Sequence, residues 1–348
     1  MVCYNASMAG GTGLVLDERM LAHDPGRGHP ERPDRLRALQ HHLGTASSLV
    51  HVAARPASEE ELVLVHAPSL VATIAATAGR SCVVLDPDTR TSPGSWDAAR
   101  LAAGGLIDLC DAVLAGQVRN GIALVRPPGH HAERDHAMGF CLFNNVAIAA
   151  AHLRHRGVRR VAIIDWDLHH GNGTQHLFER DPDVLYVSTH QYPFYPGTGA
   201  VDEVGEGAGA GRTLNLPFPA GFGDHEFARA FDEIILPICR QFAPEFVLVS
   251  AGFDCDVRDP LGGLVVTPAG VTAMARACVA LAEECAGGRL VAVLEGGYDL
   301  EAICDGVDMV LAALQGASDT PALVTGDARR IDPVLERVLA AQSPYWRL

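Results

Sequence analysis

Short apolar runs that end abruptly in Asp, Glu, His or Ser recur along the chain, and the rest of the reading hangs on them. Four stand out: Gly121-Ile122-Ala123-Leu124-Val125, Val161-Ala162-Ile163-Ile164, Phe246-Val247-Leu248-Val249 and Leu290-Val291-Ala292-Val293-Leu294. Their length, their β-branched content and their lack of polar alternation predict strands buried on both faces, as in a parallel sheet. Residues 12–16 predict a first strand, and residues 213–218 are strand-like. Helices are predicted over residues 34–43, 59–66, 70–78, 95–115, 144–155, 224–241, 267–286 and 300–314, with a short last one over 333–341 after a connector holding Asp319, Thr320 and Pro321. Ser58-x-x-Glu61 is a capping box, Pro68 suits a helix start and Ser95 is a candidate N-cap.

Strand and helix alternate through most of the sequence, which predicts an α/β protein with helices on both faces of a parallel sheet. No internal repeat, low-complexity tract or charge block marks a linker, so one domain is the simplest reading. Residues 22–33 and 86–94 are rich in Pro, Gly and polar groups, and are expected at the surface or on a site rim. The glycine-rich run from Gly205 to Gly211 precedes a strand-like segment instead of joining strand to helix, so it fails as a phosphate loop.

Composition narrows the class. Among the 348 residues, 48% are hydrophobic and 20% charged, an ordinary globular balance. The net charge of −15 argues against general binding to nucleic acid or anionic membranes, and would suit a cationic substrate or serve solubility alone. Apolar runs stay well short of the ~18 residues of a membrane span, and Met1-Val2-Cys3-Tyr4-Asn5 lacks the pattern of a secretion signal, so a cytoplasmic protein is expected. Nine scattered cysteines with no Cys-x-x-Cys pair read as reduced thiols, mostly core residues.

All four principal runs lead into groups that carry chemistry, and in a parallel sheet such strand ends lie at one edge. After residues 161–164 comes Asp165-Trp166-Asp167-Leu168-His169-His170-Gly171-Asn172-Gly173. Alternation along a strand that stays extended would turn Asp165, Asp167 and His169 to one side, and carboxylate and imidazole together suit zinc, iron or manganese. The same stretch also reads as a capped turn without metal. Asp254, after another run, can be a third ligand or simply a cap, and three protein ligands leave room for water and a carbonyl. His130 and His131 follow Pro127-Pro128-Gly129, and one can serve as general base. Tyr298, after two glycines, is a donor for an oxyanion or a packing residue.

Taken together, Pro127-Pro128-Gly129-His130-His131, Gly139-Phe140-Cys141, Asp165-x-Asp167-Leu168-His169-His170-Gly171-Asn172-Gly173, Ser250-Ala251-Gly252-Phe253-Asp254 and Glu295-Gly296-Gly297-Tyr298 closely resemble the zinc-dependent histone deacetylases. The likeness is to class II and its bacterial deacetylase-like and acetylpolyamine amidohydrolase relatives. It implies the arginase/deacetylase fold, a three-layer α/β/α arrangement around a mainly parallel eight-stranded sheet. A single domain over residues 1–348 would follow, with the motifs in about 12–316 and residues 317–348 packing on that core.

It also implies hydrolysis of an N-acetylated amine, acetyl-lysine or a small amine, and inhibition by hydroxamates. Zinc, or ferrous iron in the cell, would be held by Asp167, His169 and Asp254. His131 would be the general base, with His130 oriented by Asp165, His131 faced by Asn172, and Tyr298 the oxyanion donor. Gly139, Phe140 and Tyr195 would line a substrate tunnel, with Leu261 at its mouth and Arg35 behind the site serving acetate. Structural potassium or sodium would sit by Asp165, Asp167, His169, Ser188 and Thr189, and again by Phe178, Asp181 and Val184. A homo-oligomer is possible, whereas direct nucleic-acid or membrane contact is not expected.

Leu261 stands where a polyamine-specialised relative would carry an acidic residue, which leans the substrate towards acyl-lysine or a broad range. Two other readings share the fold. In an arginase-like dimetal hydrolase, Asp254-x-Asp256 would supply paired aspartates, but Gly171 offers no carboxylate to a second metal. In an acyl-amine sensor or scaffold, the groups would bind without turnover.

Overall fold

A computed structural model of the chain describes residues 10–44, 48–317 and 329–348. Its strands are β1 (Thr12–Leu16), β2 (Leu49–His51), β3 (Val83–Asp86), β4 (Thr89–Thr91), β5 (Asn120–Leu124), β6 (Val161–Asp165), β7 (Val184–Gln191), β8 (Thr213–Phe218), β9 (Phe246–Ala251) and β10 (Leu290–Leu294). Eight of them form one sheet in the order β2-β1-β5-β10-β9-β6-β7-β8, and every pairing in it is parallel. Each residue of β5 to β10 is buried, as runs covered on both faces must be. One group of helices (Ser95–Leu114, Asn145–His155) packs together on the sheet, as does a second (Asp34–Leu43, Pro268–Cys285, Leu300–Leu314). This is the three-layer α/β/α arrangement that the motifs imply.

The order of the strands builds the site. β5, β10, β9 and β6 are four adjacent central strands, so the four apolar runs with chemical endings lie side by side. Register levels them: Asp165 pairs with Ser250, Ser250 with Val293, and Val293 with Ala123. The segments after these positions therefore leave the sheet at one height. At the far edge, the helix Asp332–Gln342 packs on β8, where Gln342 Nε2 donates to Thr213 O (2.9 Å) and Trp346 Nε1 to Gly211 O (2.9 Å).

Several expectations need correction. The polar stretch 86–94 is not all loop: β3 and β4 form a hairpin with Thr89 and Thr91 buried. The stretch 22–33 is not all rim either, since His23 and Glu31 are buried against Arg126. Gly94, not Ser95, caps the helix Ser95–Leu114; the Ser95 hydroxyl takes the Ser92 N–H (2.7 Å) and meets His23 Nδ1 (2.7 Å). The helix expected to reach His66 ends at Leu62. A π-helical turn over Phe231–Ile235 interrupts the helix expected over 224–241, just before Pro237, which has no N–H to continue the ladder. The connector at Asp319, Thr320 and Pro321, and the chain start at Met1 to Asn5, lie outside the described residues. Among the described residues, no helix is long and apolar enough to cross a membrane.

Candidate metal and amide-hydrolysis site

β6 ends at Asp165, and the bend after it splits the three groups that alternation would have kept together. Asp165 turns towards the histidine loop, where its Oδ2 faces His130 Nδ1 (3.1 Å) and accepts the Tyr186 hydroxyl (3.0 Å). Asp167 and His169 instead meet Asp254 from the end of β9. One ligand-type atom from each lies within 4.8 Å of the others. His169 Nδ1 is 3.0 Å from Asp254 Oδ2 and 3.3 Å from Asp167 Oδ1. Backbone N–H groups fix the remaining oxygens, Leu168 N on Asp254 Oδ1 (2.9 Å) and Gly296 N on Asp167 Oδ2 (2.8 Å). Gly296 is required here, because a Cβ would come within 2.3 Å of Asp254 Oδ2.

Two carboxylates and an imidazole, nearly all buried and already turned inwards, suit a first-row divalent ion such as zinc or ferrous iron. Asp256 does not add a second centre, since its carboxylate pairs with Arg258 (2.9 Å). At Gly171, a Cβ would lie 2.4 Å from Asp165 Oδ2, so no acidic side chain fits there either.

The two histidines differ in charge although their rings are 4.0 Å apart. Burial disfavours a charge on His130, but the carboxylates of Asp167 and Asp165 outweigh it and push its pKa up to about 10. Burial, with His130 and His169 beside it, holds His131 well below the usual imidazole range. His131 Nδ1 bonds Asn172 Oδ1 (2.7 Å), and Asn172 Nδ2 donates to Glu133 Oε1 (2.6 Å). Glu133 can only accept from that amide, so Asn172 presents its oxygen to His131. The ring proton then sits on Nδ1, and Nε2 keeps its lone pair.

A cavity of about 70 Å³ leads to these groups. Gly139, Phe140, Tyr195 and Leu261 line it, as do His131, His169 and Tyr298. Gly139 (φ 57°) lets the His131 ring close on it, since a Cβ would sit 2.4 Å from His131 Cδ2. The Tyr298 phenol is pushed well above its ordinary pKa by burial and the Asp254 carboxylate, so it stays a donor. Arg35 is not in the lining. Its guanidinium binds Gly297 O (2.6 Å), Glu295 O (2.5 Å) and Glu31 Oε1 (3.0 Å) behind the Tyr298 ring.

The residues expected for monovalent cations occupy two places. Asp165 and Ser188 are paired in register, with the Thr189 hydroxyl on Asp165 O (3.5 Å). Phe178, Asp181 and Val184 lie at the turn into β7, where Asp181 N meets Phe178 O (2.9 Å).

Sequence reasoning missed Glu133 and Asp88, and flagged Glu295 at a strand end without giving it a role. Asp88 lines the cavity mouth from within the flagged stretch 86–94, and its acidity was the available signal. Glu295 Oε2 accepts from Gly129 N (2.6 Å) and His130 N (3.2 Å), tying the histidine loop to β10. Glu133 gave no signal, because only the fold brings it to Asn172.

Residues 29–314 match the family described as the histone deacetylase domain. The chain is 42% identical to histone deacetylase 15 of Arabidopsis thaliana over 98% of its length and 64% of that protein's. It is 43% identical to the human polyamine deacetylase HDAC10, across 97% of the chain and 53% of that protein. A probable deacetylase of Archaeoglobus fulgidus is 42% identical, with 88% of the chain and 86% of the relative covered. The chain thus spans about half to two thirds of the first two relatives. Its fold is similar to the crystal structure of the HDA15 HD domain, with a TM-score of 0.91, 43% identity and 97% of each chain covered.

Proposed function

The chain belongs to the histone deacetylase family, and from that premise we propose that it is a zinc-dependent hydrolase removing acetyl groups from N-acylated amines, acyl-lysine above all. We read its 348 residues as one such domain. The observation that carries the proposal is His131, tied by Nδ1 to Asn172 Oδ1 (2.7 Å), lining one cavity with His169 of the Asp167, His169, Asp254 triad and with Tyr298. The triad would hold the ion, whose chemistry when bound is to polarise the acetyl carbonyl and acidify water. His131 Nε2 takes a proton from water and later delivers it to the departing amine. Tyr298 donates to the oxygen that gains charge. Burial first, and then the neighbouring His130 beside Asp165 and Asp167, hold His131 below the usual imidazole range, which suits a base.

Leu261 gives the cavity an apolar wall and supports acyl-lysine. Asp88 in the same lining supports a second reading, an acetylpolyamine, because its carboxylate could meet a substrate ammonium. Amine release from an acetyl-lysine peptide and an acetylated polyamine, measured side by side on zinc-loaded protein and its Tyr298→Phe variant, tests both. The peptide should be preferred, and the variant should lose about 10²- to 10³-fold in kcat with zinc retained. A variant of near wild-type rate would remove Tyr298 from the mechanism, and a polyamine preference would transfer the substrate to the second reading. Zinc-loaded protein inactive on both would point to a sensor.

A further inference from the structure

Beside the tunnel mouth lies a second hollow of about 400 Å³, and Asp88 and Phe140 line both. Arg27 and Arg90 line it from two separate segments, the loop before Asp34 and strand β4. Arg27 stands between two positive-φ glycines, Gly26 (111°) and Gly28 (81°), each with open space where a Cβ would be. His29 pins this loop to the tunnel wall. Its Nε2 donates to Asp88 O (3.0 Å), its Nδ1 accepts from Glu31 N (3.1 Å), and its ring meets Phe140 edge-on at 4.7 Å.

The hollow brings two guanidiniums together beside one carboxylate, Asp88. The sequence has no lysine, so all 27 residues of the Lys and Arg class are arginines, against 42 Asp and Glu. In such an excess of acid, exposed arginines readily find partners, as Arg19 does in Asp17, Arg55 in Glu61 and Arg258 in Asp256. Arg27 and Arg90 are exposed and, like Arg80, Arg134 and Arg337, make no side-chain hydrogen bond or ion pair with the described residues; what sets them apart is that both line one hollow at the tunnel mouth. Asp88, the nearby acid, lines the same hollow and pairs with neither arginine. Its Oδ1 takes the Gly139 N–H (3.2 Å) and the Thr89 hydroxyl (2.9 Å), and the carboxylate also bonds the Tyr195 hydroxyl.

We propose that Arg27 and Arg90 form an anion subsite on the tunnel rim that receives a carboxylate of the substrate. That carboxylate belongs to an acidic residue next to the acyl-lysine or, in free acyl-lysine, to the amino acid itself. The inference rests on the deacetylase reading and adds the charge class of the substrate. A side chain inserted in the tunnel leaves its own backbone at the mouth, where neighbouring groups meet the hollow. Guanidinium forks suit a carboxylate there, because each offers parallel N–H donors.

The test compares acetyl-lysine peptides flanked by Glu, Gln or Arg, and free acetyl-lysine against its carboxamide, on the zinc-loaded chain. The kcat/KM values are paired with calorimetric Kd values on the Tyr298→Phe form, so that preference is read without turnover. Glu flanks should gain about five- to tenfold over Gln flanks, as two exposed charge pairs allow. The gain should shrink between about 0.05 and 0.5 M NaCl. It should vanish in the Arg27→Gln/Arg90→Gln variant and persist in Arg80→Gln, an exposed arginine elsewhere. A gain confined to free acetyl-lysine over its carboxamide assigns the subsite to the amino acid's own carboxylate. Equal Kd for acidic and neutral ligands of both kinds overturns the subsite, as does a preference that survives the double variant. Peptides that bind with the acidic preference but are not hydrolysed overturn the deacetylase reading and leave the subsite standing.

Discussion

Replacing Glu31 by Gln removes the carboxylate shared by two buried guanidiniums while keeping the side-chain volume. Arg126 meets Glu31 through Nε (2.5 Å to Oε1) and Nη2 (2.8 Å to Oε2), and Arg35 meets Oε1 at 3.0 Å. All three side chains have zero exposure. The guanidiniums cannot swing out to water, because Arg126 is also held by Met20 O and His23 O, and Arg35 by Glu295 O and Gly297 O. Breaking a buried pair on one side costs about 3–5 kcal/mol, and since Gln keeps one acceptor oxygen the expected loss is about 3 kcal/mol. Urea unfolding should show a lower midpoint at unchanged m. In the double variant with Arg126→Met, the losses should fall short of additivity by about 2 kcal/mol, because one stranded charge is gone. Burial alone would push the Glu31 carboxyl up, but Arg126 and His23 hold it well below the usual range. Its stabilisation is therefore complete above the ordinary carboxyl pKa and is lost as pH falls, so wild type and variant should converge on acidification. A loss under about 1 kcal/mol, or strict additivity, would refute the reasoning.

Three further outcomes are expected. Asp254→Ala should lose bound zinc and activity together, read by elemental analysis and amine release; a metallated, active variant would disprove the ligand assignment. His66, buried and bonded to Glu133 O and Asn144 N, is pushed down to about 4 by burial, so the native state resists its protonation. Its neutral form supports the fold fully above the ordinary imidazole pKa, and about 3 kcal/mol of stability should drain between pH ~6.5 and ~4. His66→Gln should flatten that part of the pH–stability curve, and an unchanged slope would count against the assignment. Gly104→Ala brings a Cβ to 2.0 Å from Arg55 O and 2.6 Å from Ala57 N, so despite alanine's better helix propensity it should destabilise by about 1–3 kcal/mol in thermal unfolding. A stabilised variant would show that the 55–57 segment yields easily.

The buried strands were legible because an uninterrupted apolar run of four or five residues has few other uses, and their polar ends marked the edge where chemistry gathers. β2 escaped notice, being three residues long with two exposed. β7 did too, because Ser188, Thr189, His190 and Gln191 read as polar although all are buried. Their hydroxyl and imidazole groups find partners that only the fold supplies, such as Thr189 Oγ1 on Asp165 O at 3.5 Å and His190 Nε2 on Gly199 O at 2.9 Å. For the same reason Glu31 looked like a rim residue: its partner Arg126 is 95 positions away. That Asp167, His169 and Asp254 come together was expected from the family motifs, whereas strand alternation puts Asp165 with Asp167 and His169. Alternation alone could not tell which aspartate turns away, since that depends on where β6 stops.

The central place of β10 has a consequence for how the chain comes to be folded. It lies between β5 and β9, strands that precede it in the sequence, and so enters the sheet after both neighbours exist. Until residues 290–294 have emerged from the ribosome, β5 and β9 each present an open edge, the kind of surface that recruits strands from other chains. Insertion of this one strand closes both edges and carries Glu295 and Tyr298 to the site. A chain ending before it would leave both edges open and lack Glu295 and Tyr298 at the site.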